Sequence, residues 1–177
     1  MPFFVVAGGI FLILLNPRFK ELTNFDKLKN KETHSGAALR VLVWENSFEI
    51  IRENFWLGVG NGDANNALYE KYVQNEIVNA ETKKLNAHNQ YLQTFIETGF
   101  FGFISLVLIL LVPFIQAVKN KNSLLILLIC IIGFNFIFES MLCRFSGVLF
   151  FAFFYNLLIF ENSKNIEETT FISNNLS

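Results

Sequence analysis

The chain has 177 residues, 53% of them hydrophobic, with a mean hydropathy of +0.41 and a formal net charge of −1. That is too apolar for an ordinary soluble domain, and the apolar residues are clustered rather than spread. A charge so close to zero gives no electrostatic ground for a nucleic-acid partner.

The N-terminal stretch Pro2 to Leu15 reads PFFVVAGGIFLILL and ends at Asn16-Pro17-Arg18. It is apolar throughout, yet it falls short of the roughly 20 residues needed to cross a bilayer. A signal peptide would need a basic segment ahead of the apolar core, and none is present. Residues 1–15 therefore read as the end of a transmembrane helix whose start is missing, and a short complete anchor is the second reading.

Residues 16–97 read as a long polar loop. Its first part, KELTNFDKLKNKETHSG, is charged and aperiodic, and His34 within it reads as an incidental loop histidine. From Ser35, an N-cap residue type, the pattern turns helical. Arg40, Trp44, Ser47 and Ile51 share one face, and Ala38, Leu42 and Phe48 are expected to bury the other side. The helix should stop near Asn54, because Phe55-Trp56-Leu57-Gly58-Val59-Gly60-Asn61-Gly62 follows. Such a turn permits positive φ angles and offers backbone amides to an anion such as phosphate, although it is neither a Walker loop nor GxGxxG. Asp63 to Val78 reads as a second helix packed through Leu68, Tyr72 and Ile77. A third should begin around Ala87, capped by Asn86, with His88, Tyr91, Leu92 and Phe95 on one face.

Gly99 to Val118 has the length of a membrane span, with Pro113 expected to kink it. Leu124 to Leu142 and Phe145 to Phe160 read as two more spans. The short turn Lys119-Asn120-Lys121-Asn122 carries two lysines and no acid, which places it in the cytoplasm. Loop 16–97 and the connection near Arg144 then lie outside, and the tail 161–177 reads as disordered and cytoplasmic. The expected class is an all-α polytopic membrane protein. It has three full transmembrane helices within 98–160, a partial N-terminal one, and a helical extracytoplasmic loop.

The chemistry in that loop is sparse. Arg40 is permanently charged and offers a planar donor fork that suits phosphate oxygens, or it is a solvated helix arginine stacked on Trp44. His88 among amides suits proton transfer near neutral pH, or it simply starts a helix at the membrane interface. Two separate histidines without a carboxylate cluster give no metal site. Cys130 and Cys143 both lie in apolar surroundings and read as small hydrophobes. Glu139 and Arg144 sit at the end of an apolar segment, where ionisable groups seek a partner or a cavity, although their spacing is poor for a pair on one helix.

The order Arg40-xxx-Trp44, Phe55-Trp56-Leu57-Gly58-Val59-Gly60, Ala87-His88-Asn89-Gln90-Tyr91-Leu92-Gln93 and Glu97-Thr98-Gly99-Phe100-Phe101-Gly102 resembles the O-antigen ligase and polymerase superfamily. The resemblance runs over residues 36–160. It implies a fragment of a multi-span GT-C-type glycosyltransferase in the bacterial inner membrane, working on the periplasmic side in lipopolysaccharide or other polysaccharide biosynthesis. Such an enzyme moves a sugar chain from an undecaprenyl-diphosphate carrier to an acceptor hydroxyl on lipid A core, another glycan or a protein. It uses no metal and no other cofactor. By this resemblance Arg40 would hold the diphosphate and His88 would orient or deprotonate the acceptor. Trp44, Gly58, Gly60, Asn89 and Tyr91 would line the substrate site. Trp44, Trp56 and Tyr91 would stack on sugars or anchor the loop at the headgroups. The family's further upstream spans and an additional arginine are not in this sequence. A non-catalytic membrane protein, or a transporter subunit with an extracytoplasmic binding loop, is the alternative.

Overall fold

The computed structural model describes residue 31 and residues 35–175, with side chains described as far as residue 162. The expected partial span 1–15, the charged segment after it and His34 lie outside the described residues. Every regular element among the described residues is helical. In chain order they are α1 (Gly36–Glu53), α2 (Ala64–Gln74), α3 (Val78–Lys83), α4 (Gln90–Lys119), α5 (Ser123–Phe138), a 3-10 turn (Met141–Cys143) and α6 (Phe145–Asn175).

Two cores organise these helices. The first lies under the loop region and gathers Leu42, Val43 and Ile50 of α1, Leu68 and Tyr72 of α2, Ile77, Ala80 and Ala87, and Ile96 of α4. The buried stripe of α1 runs through Leu39, Leu42, Val43, Asn46, Ser47 and Ile50, spacings of three and four that keep one face inward. Phe48, expected inside, points away from that stripe and is 51% exposed. The helix expected over Asp63–Val78 ends at Gln74, and a further short helix follows at Val78–Lys83, because Glu76 adopts a positive φ of 57° and turns the chain so that Ile77 and Ala80 reach the core.

The second core joins α4, α5 and α6 through Leu106, Leu110, Ala117, Leu125, Ile129, Ile132 and Phe136. Two helices are long and apolar enough to cross a membrane, α4 and the first part of α6 over Phe145–Asn162. The third expected span is shorter. Helix α5 has 16 residues, which at 1.5 Å per residue is about 24 Å against a hydrocarbon core of about 30 Å. It stops at Phe138 because Glu139 is extended, so the expected run to Leu142 is broken by a polar turn. The tail expected to be disordered continues the α6 helix to Asn175.

Helix α4 carries the feature that sets the geometry of the loop. Gly99 has φ 67° and ψ −161° inside an otherwise helical run, while Pro113 sits in regular helical backbone. The break therefore falls at the glycine, two turns into the helix, and not at the expected proline. The glycine-rich turn after α1 closes over it. Val59 N donates to Ile96 O at 2.8 Å, Gly60 N to Glu97 O at 3.0 Å, and Phe100 N to Phe55 O at 2.8 Å. These bonds satisfy groups that the helix break would otherwise orphan. Gly58 has φ 69°, and a Cβ built there would lie 2.5 Å from Ile96 O; a Cβ on Gly99 would collide with the Trp56 carbonyl. Two backbones meet at a distance only glycines allow.

Replacing Gly58 or Gly99 with alanine should therefore destabilise the full-length protein by about 1–3 kcal/mol or more. Gly62, whose added Cβ would meet nothing within 4 Å, serves as the control. Its alanine variant should stay within about 0.5 kcal/mol of the parent. Thermal unfolding in detergent reads the difference, and equal midpoints for all three variants would contradict it.

Candidate functional site

Within the segment Asn86–Glu97, amide side chains make most of the local hydrogen bonds. Helix α4 begins at Gln90 rather than around Ala87, and Asn89 is its N-cap, accepting from Leu92 N at 3.0 Å. Asn86, the expected cap, accepts instead from His88 N at 3.1 Å. That contact accompanies a left-handed turn, with His88 at φ 45°. Ala87 N donates to Gln93 Oε1 at 3.1 Å, and Gln93 Nε2 donates to Glu97 Oε1 at 2.8 Å. Gln90 Nε2 donates to Thr94 Oγ1 at 3.1 Å.

The turn between α5 and α6 is tied to the same segment. Asn89 N donates to Ser140 Oγ at 3.2 Å, Leu142 N to Gln90 Oε1 at 2.7 Å, and Tyr91 Oη to Gly133 O at 3.0 Å. These bonds bring Glu139 beside the histidine. His88 Nδ1 lies 3.6 Å from Glu139 Oε2, and Arg144 Nη2 lies 2.7 Å from Glu139 Oε1. The His88 and Glu139 side chains are 24% and 28% exposed, whereas Arg144 is 64% exposed and reaches solvent. Glu139 and Arg144 thus pair across the polar turn, where the helix break removes the objection from their spacing.

Helix α1 reaches this junction through Trp44, whose indole Nε1 donates to Ala87 O at 3.1 Å. The carbonyl it caps belongs to the residue before His88. Arg40 lies one turn earlier on the Trp44 face and is exposed. Of the residues expected at a site, Trp44, His88, Asn89 and Tyr91 come together here, each with a structural hydrogen bond of its own. Gly58 and Gly60 lie further along α4, at the Gly99 break. The Val59 and Gly60 amides are spent on helix carbonyls, so these two amides of the turn are not open to a phosphate.

Between these two contacts opens a cavity of about 490 Å³. It is lined by Asn61, Asn65 and Asn86, by Gln90, Gln93, Thr94 and Glu97 of α4, and by Leu142 and Cys143. The α4 residues recur every three to four positions, a polar stripe at helical spacing that was legible in the sequence. Burial, then the Glu97 carboxylate, pushes the Cys143 thiol up to about 11, while Arg144 opposes them. Among the described residues no group of three or more His, Cys, Asp or Glu is placed to hold a metal ion.

A long polar loop region clasped onto apolar helices, two of them long and apolar enough to cross a bilayer, defines a helical membrane protein. The chain belongs to the O-antigen ligase family, whose model matches residues 1–107. It is also 26% identical over 167 residues to an uncharacterised protein of Haemophilus influenzae, a match covering 83% of this chain and 41% of that protein. The chain thus spans about two fifths of the length of that relative. No solved structure matches it.

The thiol gives an immediate check on this lining. Alkylation of Cys143 by a neutral maleimide, followed by peptide mass spectrometry on the full-length protein, should be slow at about pH 7 and still rising at about pH 10. A rate that levels off below about pH 9 would contradict a thiol raised by its surroundings and by the nearby Glu97 carboxylate.

Proposed function

We propose that this chain is the site-bearing portion of a bacterial inner-membrane glycosyltransferase. It moves a sugar chain from an undecaprenyl-diphosphate carrier to an acceptor hydroxyl, as an O-antigen ligase or polysaccharide polymerase. The observation that carries the proposal, beside family membership, is the Trp44–Ala87 hydrogen bond of 3.1 Å. It joins the arginine-bearing helix to the histidine turn, residues far apart in the chain. Lys119 and Lys121 at the α4–α5 turn support a cytoplasmic position for that end, and hence a periplasmic one for the site.

In this reading the acceptor oxygen attacks the anomeric carbon as the bond to the diphosphate oxygen breaks. His88 takes the hydroxyl proton. Glu139 beside Nδ1 favours the tautomer protonated there, leaving Nε2 as the accepting nitrogen. The diphosphate leaves with increased negative charge, which Arg40 stabilises through its donor fork. Arg144, exposed and next to Glu139, keeps the carboxylate from standing as an unopposed charge at the membrane surface.

The test is complementation of a transferase-deficient strain with the full-length protein, scored on glycan gels. Arg40→Ala and His88→Ala should each lower product by roughly 100-fold or more, the usual loss when transition-state charge stabilisation is removed. Arg40→Lys should recover only part of it, because an ammonium lacks the bidentate fork. Parent levels of product in both alanine variants would overturn the transferase reading and leave a non-catalytic membrane protein.

A further inference from the structure

The cavity beside Glu97 has chemistry of its own. Among the described residues its lining contains no lysine, arginine or histidine, so they offer a diphosphate no counter-charge. They offer a carboxylate instead, which would repel one. Asn61, Asn65 and Asn86 each bring an amide with both donor and acceptor, the pairing that alternating hydroxyl groups require. The glutamines of the lining are fixed. Gln93 and Gln90 are 1% and 2% exposed, and both side chains are engaged with backbone amides, Gln93 with Ala87 N and Gln90 with Leu142 N. Gln93 also holds Glu97 Oε1 at 2.8 Å, so the carboxylate is oriented before any ligand arrives. An oriented carboxylate accepts two neighbouring hydroxyls at little ordering cost.

We infer that this cavity is a sugar subsite, in which Glu97 and the three asparagines bind the hydroxyl groups of an uncharged glycan ring, apart from the place that holds the diphosphate. Its volume of about 490 Å³ lies within the ordinary range of small-ligand sites. Leu142 and Cys143 add no carboxylate or ammonium group to the lining, which suits a neutral ligand. The inference deepens the transferase reading above and rests on it for the ligand's origin. The same hydroxyl chemistry could come from the sugar on the carrier or from a sugar acceptor.

The experiment uses the full-length protein in lipid nanodiscs and three probes. These are the free repeat-unit oligosaccharide released from the producing cell's polysaccharide, the free oligosaccharide of the acceptor core, and undecaprenyl diphosphate without sugar. Two variants are compared with the parent. Glu97→Gln keeps the shape of the side chain and a contact to Gln93. Asn65→Leu alters an exposed position of the lining. At least one oligosaccharide should bind the parent and shield Cys143 from maleimide. Its Kd should rise about tenfold or more in both variants, while the affinity for undecaprenyl diphosphate stays within about twofold. The oligosaccharide that responds assigns the subsite to donor or acceptor. Failure of both oligosaccharides to bind the parent, unchanged binding in both variants, or a parallel loss of undecaprenyl diphosphate would each overturn the subsite. Arg40→Ala and His88→Ala separate the two readings. If both variants transfer normally while the oligosaccharide still binds and still responds to Glu97→Gln, the transferase mechanism fails and the subsite stands.

Discussion

A break inside an apolar helix leaves peptide groups unpaired, and in this protein a second stretch of backbone pairs them. Val59 and Gly60 donate to Ile96 O and Glu97 O, Phe100 donates to Phe55 O, and the two strands of backbone touch at Gly58 and Gly99. Each such bond spares an unsatisfied group near the apolar phase, where the penalty exceeds that in water. The clasp also fixes the end of α1, since the turn that makes it follows that helix directly. Aromatic side chains seal its outer side, with Phe55 stacked on Phe100 at 5.5 Å and Trp56 edge-on to Phe100 at 5.8 Å. Trp56 and Leu57 remain 62% and 77% exposed at this point, a position suited to the headgroup boundary.

From that anchor the site assembles by a second set of hydrogen bonds, made mostly by side-chain amides. An amide can donate and accept at once, so a few of them satisfy a turn, a helix start and a neighbouring loop together. Asn86, Asn89, Gln90 and Gln93 do this within one short segment. The consequence is that His88 occupies a strained, positive-φ position without its ring being used as a structural prop. The ring's neighbour is a carboxylate delivered by the shortness of α5. Had that helix continued as a full span, Glu139 would have been carried along its axis rather than turned toward the histidine.

Hydrophobic clustering and helical spacing made the architecture readable: the arginine–tryptophan helix, the burial of Leu68, Tyr72 and Ile77, and the long apolar helix after the histidine segment all appear in the sequence. What escaped was decided by contacts distant in the chain. Pro113 is the obvious breaker by local rules, yet tertiary packing tolerates it and the break occurs at Gly99, because only there does a partner backbone arrive to bond with it. Asn86 and Asn89 are equal as caps by type, and Ser140 helps select Asn89 by accepting its amide. The stripe Gln90, Gln93, Thr94 and Glu97 was visible by period, but its meaning depended on a cavity that three separate segments enclose. Gly58 and Gly60 carried the signal of unusual backbone, and the close approach to α4 that it serves was set by a segment distant in the chain.

The account stands on the clasp between the glycine turn and the broken helix. Amide hydrogen exchange on the full-length protein in nanodiscs, resolved at Val59, Gly60 and Phe100, tests it most directly. The three amides should be protected together and open together, as members of one hydrogen-bonded unit. Rapid exchange at Val59 and Gly60 with Phe100 still protected would mean that the turn is an ordinary solvated loop, and the positioning of the site would need another cause.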